Sequence, residues 1–227
     1  MDLNADFGKR VAMHADEIEW LESPTPGVRR RMLDRIGGEV ARATTIVRYE
    51  PNGVFPAHTH GGGEEFIVLD GVFQDEHGDF VAGTYVRNPP GSRHAPRSQF
   101  GCTIFVKLWQ FDPSDRAGVC IDLNKIAAIS ATSRGGVSVT PLFKDAREDV
   151  RVERWAPDVS VTFAADGGAE LFVLDGRFEE NGETFRRHSW LRLPMGARLA
   201  ATCGGDGARV WIKTGHLRFV AAPRFDP

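Results

Sequence analysis

Glu65-Phe66-Ile67-Val68-Leu69-Asp70-Gly71-Val72-Phe73 returns 105 residues later as Glu170-Leu171-Phe172-Val173-Leu174-Asp175-Gly176-Arg177-Phe178. The same shift carries Pro89-Pro90-Gly91 onto Pro194-Met195-Gly196, and with one residue of slippage Phe105-Val106-Lys107 meets Trp211-Ile212-Lys213. A period of this length marks one folding unit used twice. It predicts two structural copies at 25–113 and 137–220, preceded by an N-terminal arm (1–24) and followed by a tail (221–227). Between the copies, 114–136 reads as a linker that ends in Ser130-Ala131-Thr132-Ser133-Arg134-Gly135-Gly136. Within it, 117–128 is compatible with coil or a short helix.

Working outward, each copy is filled with short β-prone runs separated by Gly and Pro. The first holds Ala43–Tyr49, Glu65–Leu69, Phe80–Arg87 and Thr103–Phe111; the second holds Val150–Trp155, Ser160–Ala164, Leu171–Leu174 and Arg209–Thr214. Short strands about 8–12 residues apart, without sustained helical periodicity, predict an all-β chain of two small barrels.

Composition narrows the function classes. The 227 residues carry 28 Lys and Arg against 31 Asp and Glu, a formal net charge of -3, and the pI is near 6.2. Neither nucleic acid nor an anionic membrane surface is an expected partner, since both need a clustered cationic face. At 41% hydrophobic and 26% charged residues the composition is that of a globular protein. No apolar run approaches the roughly 20 residues that span a bilayer. The start, Met1-Asp2-Leu3-Asn4-Ala5-Asp6, lacks the basic and apolar regions of a signal peptide. Cys102, Cys120 and Cys203 have no CxxC spacing and suit small, reduced thiols in a cytoplasm.

The chemistry is concentrated in Gly53-Val54-Phe55-Pro56-Ala57-His58-Thr59-His60-Gly61-Gly62-Gly63-Glu64, with Gly71 beyond it, and in Gly83 followed by Pro89-Pro90-Gly91-Ser92-Arg93-His94. His58 and His60 stand at i and i+2, so on a strand both imidazoles share a face. Three glycines allow a tight turn that brings Glu64 beside them, and His94 arrives from a neighbouring strand after a Pro-Gly turn. Three imidazoles and one carboxylate suit a borderline divalent metal: zinc, iron, manganese, nickel or cobalt.

These strings resemble the two sequence motifs of the cupin superfamily, with complete ligand spacing; Ser98 stands where the second motif often has Asn. More narrowly, Ala41-Arg42-Ala43-Thr44-Thr45, Gly62-Gly63-Glu64-Glu65 and Gly83-Thr84-Tyr85-Val86-Arg87 resemble the cupin domain of the anti-sigma factor ChrR, a protein of the singlet-oxygen response. The resemblance implies two tandem jelly-roll barrels, a bicupin, with His58, His60, Glu64 and His94 ligating one metal per chain, zinc first. Glu64 rather than Glu65 has the motif's spacing. Glu65 persists as Glu170 in the second copy and reads as structural. An anti-sigma domain is not covered, and no helical His/Cys cluster precedes the barrel, so a sigma factor is not an expected partner.

Shifted by 105, the four ligands become Phe163, Ala165, Ala169 and Leu199, none able to hold a cation. The second barrel is therefore expected to be metal-free, either filled by its own side chains or shaped as an apolar pocket lined by Phe163, Leu199 and Trp211. Around the metal, strand register nominates Tyr49, Phe55, Phe66 and Trp109 as pocket residues, while Arg93 should point away. His14, His77, His188 and His216 stand singly and read as surface or core residues. Lys107 and Lys213 are matched and read as structural. Two functions follow from the resemblance. The first is a regulatory or sensory metal-binding protein linked to oxidative stress, and the second an iron(II) dioxygenase cleaving a small diketone or hydroxyacetophenone. The regulatory reading works through changed partner interactions, a small-molecule ligand is compatible with both, and a monomer or homodimer is expected.

Overall fold

The repeat reappears as a repeated hydrogen-bond register. The computed structural model describes residues 1–38 and 40–223, so residues 224–227 of the expected tail lie outside the described residues. In one sheet Glu64, Glu65, Phe66 and Ile67 lie opposite Asn88, Arg87, Val86 and Tyr85. In the other, Ala169, Glu170, Leu171 and Phe172 lie opposite Leu193, Arg192, Leu191 and Trp190, each partner shifted by 105.

Two units result. The first comprises Met1–Ala5, Glu19–Lys125 and 221–223; the second comprises Asp6–Ile18 and Ile126–Val220. Strand order in the first sheet is Val119–Asp122, Thr84–Asn88, Glu64–Asp75, Cys102–Leu108, Ala41–Tyr49, Val28–Gly37 and Leu21–Glu22. In the second it is Val11–His14, Ser189–Leu193, Ala169–Glu180, Ala197–Thr214, Asp149–Trp155, Val137–Lys144 and Ile129–Ser130. All these pairings are antiparallel.

The long central strands are buried on both faces over 64–68 and 169–173, where Glu64, Glu65 and Glu170 are buried charges among apolar residues. A bulge then re-aims their second halves. Opposite Thr103 and Ile104 stand Asp70 and Val68, leaving Leu69 as the extra residue; opposite Val210 and Arg209 stand Val173 and Asp175, leaving Leu174. One extra residue reverses the parity of a strand. Phe73 thus joins Phe66 and Val68 in one core cluster, and Phe178 joins Ala169, Leu171 and Val173 in the other. Gly71 follows the bulge at φ +70°, and a Cβ there would fall on the carbonyl oxygen of Gly101, so only glycine fits.

Three expectations are corrected. The stretch 1–24, expected as an arm, is divided between the units: Val11–His14 edges the second sheet and Leu21–Glu22 the first. The expected linker 114–136 also enters the sheets, through Val119–Asp122 beside Thr84–Asn88 and Ile129–Ser130 beside Val137–Lys144. Residues 117–128 are thus neither plain coil nor helix, because the exposed backbone of the 84–88 strand takes an edge partner. The run Phe80–Arg87 breaks into Gly78–Val81 and Thr84–Asn88, with Gly83 at φ +90° between them. Among the described residues no helix is long and apolar enough to cross a membrane.

Candidate metal centre

His58 and His94 lie directly opposite one another on a two-stranded ladder formed by His58–Thr59 and Arg93–His94. His60 follows immediately; its N–H donates to the Ser92 carbonyl at 2.9 Å and its own carbonyl accepts from the Gly91 N–H at 2.9 Å. The chain then turns through Gly61, Gly62 and Gly63 under the Trp109 indole. A Cβ on Gly61 or Gly62 would lie 2.7 or 2.5 Å from that ring, so the turn needs glycine to deliver Glu64 to the start of its strand.

The result is a ring of donors. The His58–His60, His58–His94 and His60–His94 ring centroids are 4.8, 5.0 and 4.7 Å apart. One ligand atom from each of His58, His60, Glu64 and His94 lies within 4.8 Å of all the others. Glu64 Oε2 is 3.5 Å from His60 Nε2 and 3.6 Å from His94 Nε2. That is the spacing of two ligands each about 2.1 Å from a shared ion. The Nε2 atoms of His60 and His94 are buried and make no hydrogen bond, a costly state for polar atoms unless a cation satisfies them. The donor set therefore fits a divalent metal.

Further groups aim these donors. His58 Nδ1 is 2.9 Å from the Pro56 carbonyl oxygen and His94 Nδ1 is 3.1 Å from Asp75 Oδ2. Donation from Nδ1 leaves the Nε2 lone pair for the centre. Asn88 Nδ2 donates to Glu64 Oε2 at 3.1 Å. Burial pulls the His60 pKa down, which keeps that ring neutral. At His94 burial also disfavours the charge, but the Asp75 hydrogen bond and the Glu64 carboxylate outweigh it and raise the pKa. Burial would raise Asp75, yet the His94 bond and the His77 backbone N–H hold it low. Burial first, then the Glu64 charge, drives the Tyr49 phenol far above its ordinary value, so it stays neutral.

Of the nominated pocket residues, Tyr49 and Phe66 lie in the first unit's core cluster and Phe55 packs against it, with the Phe55 ring 5.2 Å from His58. Trp109 does not join them. Its φ of +57° follows the end of the strand at Leu108 and turns the indole over the glycines. Glu65 faces away from the donors and accepts from Tyr85 Oη at 2.7 Å. Arg93 is exposed and His94 buried. Asp75, Asn88 and Phe73, whose ring is 5.8 Å from His94, were not anticipated. Asn88 was legible as the residue paired with Glu64, whereas Asp75 was hidden by the bulge.

In the second unit Phe163 lies opposite Leu199, as His58 lies opposite His94. Ala165, Ala169 and Leu199 are buried in one cluster with Leu171, Phe178, Phe185 and Leu191, and Phe163 packs against it. The four shifted positions are thus filled by the protein itself. Trp211 does not line this interior: Val210 and Ile212 belong to the cluster, and on a strand the residue between them points the other way. The Arg151 guanidinium lies 5.7 Å from the Phe163 ring, held by Glu153 at 2.7 Å and Asp149 at 3.1 Å. Cys102 and Cys203 are buried, but Cys120 is exposed.

Residues 8–112 match the family described as the ChrR cupin-like domain. No curated protein sequence matches the chain. Among solved structures it is similar to a Nostoc punctiforme PCC 73102 protein provisionally named a dioxygenase, with a TM-score of 0.76 and 15% identity over 97% of this chain and 88% of that one. It is similar to the Escherichia coli pirin YhhW in complex with nickel(II), with a TM-score of 0.66 and 15% identity over 91% and 98%. A cupin 2 conserved barrel domain protein from Leptotrichia buccalis gives a TM-score of 0.59 and 12% identity over 86% and 92%. These likenesses establish the cupin jelly-roll fold.

Proposed function

We propose that this chain is a bicupin whose first barrel binds one divalent metal, zinc first, through His58, His60, Glu64 and His94, and whose second barrel binds none. The observation that carries the proposal is the pair of buried imidazole nitrogens left without hydrogen bonds beside the Glu64 carboxylate. Following the ChrR-like match over 8–112, the metal serves a cytoplasmic regulatory or sensory protein tied to oxidative stress, acting as a monomer or homodimer. Four protein donors can close a tetrahedral zinc shell, which suits a structural or sensing role.

A second reading, an iron(II) dioxygenase acting on a small diketone or hydroxyacetophenone, is favoured by the aromatic wall beside the donors: Phe55 near His58 and Phe73 near His94. Bound iron would supply Lewis acidity and electron transfer. The chain's own part would be to orient the ligands through Asp75, Asn88 and Pro56, to exclude water with Phe55, Phe66 and Phe73, and to present the neutral Tyr49 phenol. Elemental analysis of protein purified from its native host without added metal tests both. About one zinc per chain supports the regulatory reading. About one iron supports the dioxygenase and calls for oxygen-uptake assays with small diketones and hydroxyacetophenones. Two metals per chain overturn the assignment of the second barrel, and none overturns the metal centre.

A further inference from the structure

The 105-residue shift that turns His94 into Leu199 carries Asp75 onto another acid, Glu180. The two occupy the same rung of equivalent hairpins: Asp75 lies opposite Gly78 and Glu180 opposite Glu183. Both are nearly buried, at 6% and 8% exposure, so each needs a partner. Asp75 finds it in His94 Nδ1 at 3.1 Å. Glu180, with no histidine to hold, takes Arg10, whose Nε and Nη2 donate to its Oε2 at 3.1 and 2.7 Å.

Arg10 immediately precedes the edge strand Val11–His14, in which Val11 lies opposite Arg192. In the first unit the corresponding edge strand is Val119–Asp122, with Val119 opposite Arg87, and 87 shifted by 105 is 192. The residue equivalent to Arg10 is therefore Gly118. No guanidinium reaches Asp75 from that position. A side chain would fit there, because the nearest atom to a Cβ on Gly118 is the Arg87 carbonyl oxygen at 3.8 Å.

Resting on the metal-binding reading above, we propose that Asp75 is the positioning residue of the metal centre, holding His94 through Nδ1 so that Nε2 faces the ion, and that Gly118 keeps this carboxylate available. The edge strand decides which way the acid turns: toward a ligand when its preceding residue is glycine, toward an arginine when it is not. Carboxylate partners of ligating histidines are worth about 10–100-fold in metal affinity.

The test is cobalt(II) affinity, read by competition with a chromophoric chelator and by the visible absorption of the bound ion, on wild-type protein, Asp75→Ala, Asp75→Asn, Gly118→Arg and the double variant Asp75→Ala/Gly118→Arg. Asp75→Ala is expected to bind ~10–100-fold more weakly with an altered absorption band, while the melting temperature of its metal-free form stays close to wild type. Asp75→Asn keeps an acceptor for the Nδ1 proton and should recover most of the loss. Gly118→Arg should lose as much as Asp75→Ala, and the double variant no more than either. A purely structural role for Asp75 would give neither the Asn rescue nor the non-additivity. Wild-type affinity in Asp75→Ala overturns the inference while leaving the metal reading intact. Loss in Asp75→Ala with no loss in Gly118→Arg overturns the part given to Gly118. A wild-type protein that takes up no cobalt overturns the metal reading and the inference together. Should Asp75→Ala fail to fold, Asp75→Asn and Gly118→Arg still decide.

Discussion

In the first unit His58 faces His94 across a short ladder; in the second Phe163 faces Leu199 across the same rungs. The first gathers three imidazoles and a carboxylate and leaves two ring nitrogens unsatisfied. The second fills the equivalent positions with buried apolar side chains and sets its own cation, Arg151, near Phe163 between Asp149 and Glu153. One backbone register therefore tolerates two interiors. Buried donors cost free energy unless an ion completes them, whereas packed alkyl and aryl groups contribute stability unaided.

The comparison breaks most readily at the ligands. His94→Ala is expected to reduce bound metal from about one ion per chain to near none by elemental analysis. His188→Ala, whose ring stacks on Phe172 at a centroid distance of 5.7 Å, should leave it bound. Full retention of metal by His94→Ala would dissolve the contrast between the units.

Next come exchanges of character. Ala169→Glu would bury an uncompensated carboxylate where the first unit has Glu64, and should cost about 3–5 kcal/mol in urea unfolding. Leu199→Ala, at 0% exposure, should cost about 2–5 kcal/mol through the cavity it leaves. If either is neutral, the second interior is not packed as described.

Adding zinc to the metal-free protein sharpens the contrast further. At a hundred times its dissociation constant it should stabilise the first unit by about 2.7 kcal/mol. Amide exchange should slow in His58–Thr59, Arg93–His94 and Glu64–Asp75 and stay unchanged in Ser160–Ala165 and Ala197–Thr214. Equal slowing in both units would show that they do not respond independently.

The smallest effect concerns acid. Burial would raise Glu153, but hydrogen bonds from Arg134 and Arg151, the nearby Arg151 charge and the Trp155 N–H lower it below the ordinary glutamate value of 4.5. A carboxylate depressed in the folded state contributes stability above its unfolded pKa and loses it as pH falls through the folded value. Glu153→Gln should thus be less stable than wild type at pH 7, with the difference shrinking below about pH 4.5 in an acid titration followed by circular dichroism. The equivalent ladder position in the first unit is Val47, opposite Ile104 as Glu153 is opposite Val210. Val47→Ala should show no such pH dependence.

Much of this was legible in the sequence because it rests on local spacing. The period of 105 sets the register of both sheets, and the His-x-His pair, the glycine turn and Glu64 need only a few consecutive residues to declare themselves. What stayed hidden depends on irregularity or on distant strands. Asp75 faces His94 only because Leu69 is an extra residue that reverses the alternation after it. Trp109 stands over the glycine turn, outside the core cluster, where its positive φ follows the end of the strand. Trp211 points away from the second interior because Val210 and Ile212, on either side of it, point in, and that alternation is set by distant strand partners. The division of 1–24 between the units carried no local mark, since Val11–His14 finds its partners on Ser189–Leu193.

That last pairing has a consequence for how the protein is made. His14 meets Ser189 across 175 residues of chain. At roughly 5–20 residues per second, the N-terminal edge strand waits on the order of ten to thirty-five seconds on the ribosome before its neighbour is synthesised. The first unit can begin to assemble meanwhile, but the second closes only once residues 189–193 have been made. A nascent or truncated chain would therefore present the 11–14 strand without its partner, or the 189–193 strand with a bare edge open to pairing with another copy. Residues 11–14, although made early, are in the order of assembly among the last to find their place.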